Sequence, residues 1–446
     1  MKIKANSPVY DSSNGLVTIK LTSESGAYAF IRIDFLKLLP FANKVSSEVL
    51  DFFILSTCVY GIDRFVERKS NSIDGWSREL KVDLPVTDTT KWKTAKKELE
   101  SLFSFLTGDY WEIDFHKTQF IYPDKPLSDN LNTDFSQVNL FSGGLDSLIG
   151  AINFLQQKPN ERLIFTSHYD REMPGPKGDQ KELLERLQNV YKDQFSYIPS
   201  VEITLSYSTM KKETTFRSRS IIFIGMALLV AQTKGIPIVV PENGTVSLNY
   251  PLSPSRRSAC STRTTHPTYI SKIRVLWSKM EIRTPISNPY EFYTKGEMVS
   301  YCENPKLLEQ LVELSNSCGK RGHRVNWEFP SATHCGLCMP CTYRRASLLS
   351  LNDTTTYGNT INKKRVGRKN TPFLLSNQGQ DIAACLDFLK KPITAKDIKD
   401  ELLIGGITDL SKIDEYVSLV LRTREELMKL ISHIGDREVK KKAGIE

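Results

Sequence analysis

Alternation of apolar and polar positions opens the chain. In "LVTIKLTS" (residues 16–23) and "YAFIRIDFL" (28–36) apolar side chains recur two apart, the period of a half-buried strand. "SSEVLDFFILSTCVYGIDRFV" (46–66) repeats at three and four residues and predicts a helix. A polar, turn-rich stretch follows, and "DYWEIDFH" (109–116) alternates again. Residues 122–134, "YPDKPLSDNLNTD", gather Pro, Asp and Asn and mark a boundary. The expectation is an N-terminal α+β domain over residues 1–135.

From residue 136 the pattern changes. "VNLF", "RLIFTSH", "SYIPSVEITL" and "PIVVPENG" read as apolar strands, separated by amphipathic stretches such as "KELLERLQNVY". Strands apolar on both faces, alternating with helices, predict an α/β domain over 136–350, a parallel sheet covered on both sides. The longest apolar run, residues 221–231, "IIFIGMALLVA", is too short for a bilayer and reads as a buried helix. Residues 352–372 form a polar, basic linker. Beyond it the pattern is helical. Thr394 stands three before Asp397, a loose capping box, and Ile413, Tyr416, Val420, Leu427, Leu430 and Ile434 fall near one face. The region 351–446 is therefore expected to be a linker and a helical module that packs on the core or docks a partner.

Composition narrows this picture. A chain of 446 residues predicts two or three domains. The net charge of +9 suits anionic ligands, but so mild an excess does not favour nucleic acid. The start, "MKIKANSPVYDSS", has no apolar core of a secretory signal, so a cytoplasmic location and no membrane association are expected. Three of the eight cysteines, Cys335, Cys338 and Cys341, fall within seven residues as C-x2-C-x2-C, spacing that suits Zn²⁺ better than disulfides. Cys318 is taken as the fourth ligand, with Cys302, His323 and His334 as alternatives.

Between the "VNLF" strand and the next helix stands "SGGLDS", Ser142-Gly143-Gly144-Leu145-Asp146-Ser147. Glycines let backbone N–H groups approach an anion, a helix N-terminus adds positive potential, and two serines add hydroxyls. The lysine and spacing of a Walker A loop are missing. An acidic residue in a phosphate loop calls for a cation between them, so Asp146 is expected to face Mg²⁺.

At these residues the chain resembles the PP-loop ATP pyrophosphatase family, whose signature is SGGxDS. The resemblance implies a Rossmann-like PP-loop core that holds ATP, adenylates a carbonyl or carboxyl oxygen, and releases pyrophosphate before a nucleophile displaces AMP. With the late "CGLCMPC", followed by Arg344 and Arg345, residues 136–350 resemble QueC, the 7-cyano-7-deazaguanine synthase family. That family activates a 7-carboxy-7-deazaguanine. The flanking regions, the longer Cys318–Cys335 interval and the replaced loops "SHYDREMPGPKGDQ" and "PENGTVSLNYPLSPSRRSACSTRTTHPTYI" depart from it. In these the chain resembles the long QueC-like proteins of anti-phage defence systems such as Qat. The resemblance then implies a ligase that joins the deazaguanine through an amide to a partner protein. A free nitrile synthase using ammonia, a tRNA-thiolating enzyme and a nucleotide-binding scaffold are the alternatives.

Further site residues follow from position. Arg217 and Arg219 precede the buried helix, at a sheet rim where guanidinium groups would meet the triphosphate or adenylate. Glu242 and Asn243, after "PIVV", suit the edge of a guanine-like base, although Asn-Gly is also a turn dipeptide. Arg263 is expected to hold the substrate carboxylate, with His266 beside it in a long polar loop. The expected catalytic set is Asp146, Arg217 and Arg263. The expected further consequence is that removing the tail before Lys363 spares adenylation and abolishes transfer to protein.

Overall fold

The computed structural model describes residues 1–123, 134–173, 175–253, 263–362 and 380–446, with the backbone of a short pair, Lys364–Val366 and Lys369–Thr371. Most of the boundary stretch at 122–134, Cys260 with the loop 254–262, Lys363 and part of the basic linker lie outside the described residues.

Two sheets organise the chain. The first contains β1 (Lys2–Ala5), β2 (Val9–Asp11), β3 (Leu16–Ser23), β4 (Tyr28–Asp34), β5 (Glu79–Val86) and β6 (Tyr110–Lys117). The second contains β7 (Gln137–Leu140) and β8 (Leu163–Thr166). Next in the chain come β9 (His168–Tyr169), β10 (Phe195–Tyr197), β11 (Val201–Ser208), β12 (Ile238–Val239) and β13 (Ile286–Ser287). The first sheet runs β6-β5-β1-β3-β4-β11-β9, with β2 paired to β3. The second runs β10-β8-β7-β12-β13, and all its pairings are parallel. The expected parallel-sheet core is therefore present within a mixed α/β chain.

The strand expected over "SYIPSVEITL" is instead two. Pro199 has no N–H for a ladder, and the chain breaks around it. Phe195–Tyr197 joins the parallel sheet, whereas Val201–Ser208 crosses over and pairs antiparallel with β4. Residues 1–135 and 136–350 thus share one sheet. β5 and the helix Lys96–Thr107 occupy the stretch expected to be only turn-rich.

The helix Ser47–Phe65 is buried along almost its whole length because it lies between layers. It packs on the first sheet and on the helix Arg219–Lys234, which in turn covers one face of the parallel sheet. Val138, Ile164 and Ile238 point to that face. Leu163, Phe165 and Phe195 point the other way, toward the helices Leu145–Gln157 and Pro176–Tyr191. Alternation within each strand thus feeds two cores.

The C-terminal region is helical among its described residues beyond the linker, but it is no free tail. Tyr416, Leu419, Leu427 and Leu430 of the helix Ile413–Ile434 share a buried cluster with Cys335, Leu337 and Cys338. The first part of the expected linker is packed too, with Thr355, Asn359 and Ile361 buried.

Candidate functional site at the glycine loop

In chain order the parallel sheet reads third, second, first, fourth, fifth, so its direction of growth reverses between β7 and β12. Ligands of open α/β sheets bind outside the carboxyl ends of the strands at such a reversal. Ser142–Ser147 occupies that place. Gly143 has φ of +82°, a left-handed conformation that a side chain would strain. The turn delivers the chain into the helix Leu145–Gln157, whose N-cap, Gly144, offers no side-chain cap to the first-turn N–H groups. Ser147 Oγ donates to Gly144 O at 2.9 Å and stands 3.3 Å from Ser142 Oγ. Gln180, fully buried, ties the Ser142 carbonyl to the His168 carbonyl through its Nε2 at 3.2 and 3.1 Å.

Asp146 turns into the protein, where it meets a residue the sequence reading missed. Lys295 Nζ donates to one carboxylate oxygen of Asp146, and Asn243 Nδ2 donates to the other at 2.6 Å. Lys295 is 4 % exposed and Asp146 6 %. Burial pushes the Asp146 carboxyl up, but the Lys295 charge and hydrogen bonds from Glu242, Lys295 and Asn243 hold it below the usual carboxylate range. Glu242 moves the other way. Burial and then the Asp146 charge raise it well above 4.5, so it carries the proton the two carboxyls share. Lys295 stands at the first position of the helix Lys295–Ser300, whose capping box joins Thr294 and Glu297. That "TKGE" signature was readable; its pairing with Asp146, across 149 residues, was not.

The expected Mg²⁺ role of Asp146 meets this arrangement directly. Asp146 and Glu242 have the oxygen chemistry for a hard cation. Both Asp146 oxygens are nevertheless already engaged, so a metal there would compete with Lys295. Asn243 and Glu242 are likewise spent within this cluster, and Asn243 also caps the helix Gly244–Leu248 through Val246 N at 2.9 Å.

The arginines separate. Arg219 reaches the rim, donating to His168 Nδ1 at 3.3 Å, His168 O at 3.2 Å and Met173 Sδ at 3.2 Å. No carboxylate among the described residues pairs with it. Through the His168 carbonyl and Gln180 it stands three hydrogen bonds from the Ser142 carbonyl. Arg217 is buried over the Trp76 ring, 3.9 Å from its centroid. Arg263 lies over Phe105 at 4.4 Å and donates to its carbonyl at 3.0 Å. His266 packs on the same ring, and its Nδ1 accepts from Thr268 N at 3.2 Å as the cap of the helix Pro267–Lys279. Neither Arg263 nor His266 bonds to the Asp146 cluster.

The cysteines gather as expected. Sγ atoms of Cys318, Cys335, Cys338 and Cys341 all lie within 4.8 Å of one another, and Cys335 to Cys341 measures 3.8 Å. Zn–S bonds of ~2.3 Å in a tetrahedron separate sulfurs by roughly 3.8 Å, so the four fit zinc. Backbone N–H groups of Lys320 and Cys335 point at Cys318 Sγ, and those of Leu337 and Cys338 at Cys335 Sγ, as suits thiolates. Cys318 is thus the fourth member. Cys302 sits in an apolar cluster, His323 is exposed, and His334 Nδ1 bonds Thr333. Arg344 and Arg345 brace this lobe: Arg344 donates to Val312 O at 2.6 Å and Ser315 Oγ at 2.9 Å, and Arg345 lies over Tyr357. The lobe touches the loop where Asn316 N donates to Gly143 O at 2.9 Å.

No helix among the described residues is long and apolar enough to cross a membrane. The chain matches no protein-family model, no curated protein and no solved structure.

Proposed function

We infer that this chain is an ATP-dependent adenylating ligase of the QueC-like PP-loop type. The observation that carries the reading is the loop itself: an uncapped helix N-terminus after a left-handed glycine, at the strand-order reversal of a parallel sheet. Lys295 and Arg219 support it as cations beside the loop, and the cysteine lobe pressed on Gly143 supports the zinc half of the resemblance.

In this reading the loop amides of Gly144–Ser147 hold the β- and γ-phosphates of ATP. A carboxylate oxygen of a 7-carboxy-7-deazaguanine attacks the α-phosphorus, the bond to the bridging oxygen breaks, and pyrophosphate leaves. An amine, in the favoured case one on a partner protein within an anti-phage system, then attacks the acyl carbon and expels AMP, leaving an amide. Lys295 and Arg219 face charge that grows on the leaving group. Mg²⁺ would neutralise the phosphates, and Asp146 would hold it only by giving up Lys295. Zinc serves to fix the lobe. Arg263 and His266 have structural duties and take no part in this reading.

The test is incubation with ATP, Mg²⁺ and 7-carboxy-7-deazaguanine, followed by nucleotide analysis and mass spectrometry. AMP and pyrophosphate are expected; ADP and phosphate would overturn adenylation. With the neighbouring protein present, a mass-shifted partner supports conjugation, and a free nitrile supports the simpler synthase. Thiolation is disfavoured by the described cysteines: outside the cluster of four, Cys58, Cys302 and Cys385 are buried in apolar cores.

A further inference from the structure

Lys295 rides on a six-residue helix, Lys295–Ser300, too short to hold its own position. Its support comes from the far end of the chain. Along one face of the helix Ile413–Ile434, Tyr416 donates to Glu291 and stacks on Phe292 at 5.2 Å between centroids. Arg422 donates to Glu297 at 2.7 Å and to Phe292 O at 2.8 Å. Thr423 meets Thr245 at 2.6 Å, just beyond Glu242 and Asn243.

Glu426 makes the contact nearest to Lys295. Its carboxylate accepts from Thr294 Oγ1 and from Gly296 N, the two residues that flank the lysine. Thr294 Oγ1 also accepts from Glu297 N at 3.0 Å, so Glu426 orients the hydroxyl that caps the short helix. Gly296 leaves no room for play: an added Cβ would stand 2.4 Å from Glu426 Oε1. On the opposite side Lys295 holds Asp146 alone among the described residues, which leaves two of its three N–H donors for a ligand.

We propose that Glu426 is a positioning residue that sets Lys295 against Asp146, so that the C-terminal helix governs the affinity of the glycine loop for a phosphate-bearing ligand. The proposal rests on the ATP reading for its ligand but not for its geometry. Glu426 acts through Lys295, and that route separates it from a residue that merely holds helices together.

The experiment is a double-mutant cycle in the full-length, zinc-loaded protein, with MgATP affinity read by calorimetry. Lys295→Met and Glu426→Ala should each weaken binding by roughly tenfold or more, and the double variant should bind no more weakly than Lys295→Met alone. Glu426→Gln keeps an acceptor oxygen and should recover part of the loss. Wild-type affinity in Glu426→Ala, or losses that simply add in the double variant, would overturn the proposal. If the wild-type protein binds no ATP, the ATP reading fails by itself. Hydrogen exchange then decides the positioning role: Glu426→Ala should speed exchange at residues 143–148 as well as at 294–298. Faster exchange confined to 294–298 would overturn it.

Discussion

The two polar clusters of the site meet one electrostatic problem in opposite ways. Asp146 has its charge matched from within, by an ammonium that the chain brings from 149 residues away. The four cysteines converge with no cation of the chain's own: backbone N–H groups point at the sulfurs of Cys318 and Cys335, and thiolates packed so closely would be neutralised by a soft metal ion. The first cluster depends on tertiary packing across several segments; the second is built on two short loops and suits a metal. They touch through Asn316 and Gly143, so failure of either should reach the loop by a different route.

The largest effect should come from the cysteine side. Metal binding contributes on the order of 10 kcal/mol in small zinc modules, because the site does not exist in the unfolded chain. Cys338→Ser should lose zinc, measured by elemental analysis, and lose solubility with it, since Cys335, Leu337 and Cys338 share a core with the C-terminal helices. A soluble, zinc-free protein with an unchanged melting temperature would mean that the lobe is held by packing alone.

Lys295→Met tests the other side. Removing one partner of a buried pair leaves an uncompensated charge and typically costs ~3–5 kcal/mol. Here the loss should fall toward the low end, because Asn243 stays on Asp146 and Glu242 can share its proton. Chemical denaturation would read the difference. A stability loss below that of an ordinary surface substitution would show that Asp146 takes up a proton at no cost, and that the charge match is not what holds the cluster.

A third prediction separates packing from both. Leu427 is fully buried in the cluster that joins the C-terminal helix to the cysteine lobe, so Leu427→Ala should cost ~2–5 kcal/mol. For the same reason, truncation before Lys363 should give an aggregated product and not the adenylation-competent core expected from the sequence. A soluble truncated protein would show that the helices cover the core without being needed for it.

What the sequence made legible follows the same division. Cysteine spacing is local, so Cys335, Cys338 and Cys341 were readable as a metal motif, whereas Cys318, 17 residues away, was one of four candidates for the fourth position. "LVTIKLTS" and "YAFIRIDFL" were readable because one face of their sheet is buried and the alternation is clean. "ELKVDLPV" alternates too, with Glu79 and Lys81 on the exposed face, but it lies inside the stretch read only as polar and turn-rich. "SYIPSVEITL" misled because hydrophobicity continues through a proline that divides two sheets. The loop Ser142–Ser147 was readable as a loop, but its electrostatics were not. Nothing near Asp146 in the sequence announces Lys295, and nothing near Thr294 announces Glu426. Arg263 and His266 suggest a site only by residue type within a polar loop; the structure employs them against Phe105 and as a helix cap.

The smallest effect concerns pH and two histidines. His168 is fully buried: its Nε2 donates to Ile203 O at 3.0 Å, while Nδ1 accepts from Arg219 at 3.3 Å. Burial, then the Arg219 charge, lowers its pKa to about 3. His266 is lowered to about 3 by burial and then by Arg263, and a proton on its Nδ1 would end its cap on Thr268. Both are therefore neutral when folded and titrate near ~6.5 when unfolded. The unfolded chain binds more protons below that value, so the stability these residues lend is complete above pH ~6.5 and is lost progressively as pH falls toward 3. Each histidine should contribute a slope of up to ~1.4 kcal/mol per pH unit in that window. The buried carboxyls Glu242, Asp51 and Glu426 are raised and work in the opposite direction, so the histidine effect is read as the difference in slope between wild type and variant. In denaturant unfolding at pH 7, 6 and 5, stability should fall less steeply with acid in His168→Gln than in the wild type, by up to ~1.4 kcal/mol per pH unit. An identical pH dependence in wild type and His168→Gln would mean that the His168 ring is reached by water, and with it the rim on which Arg219 stands.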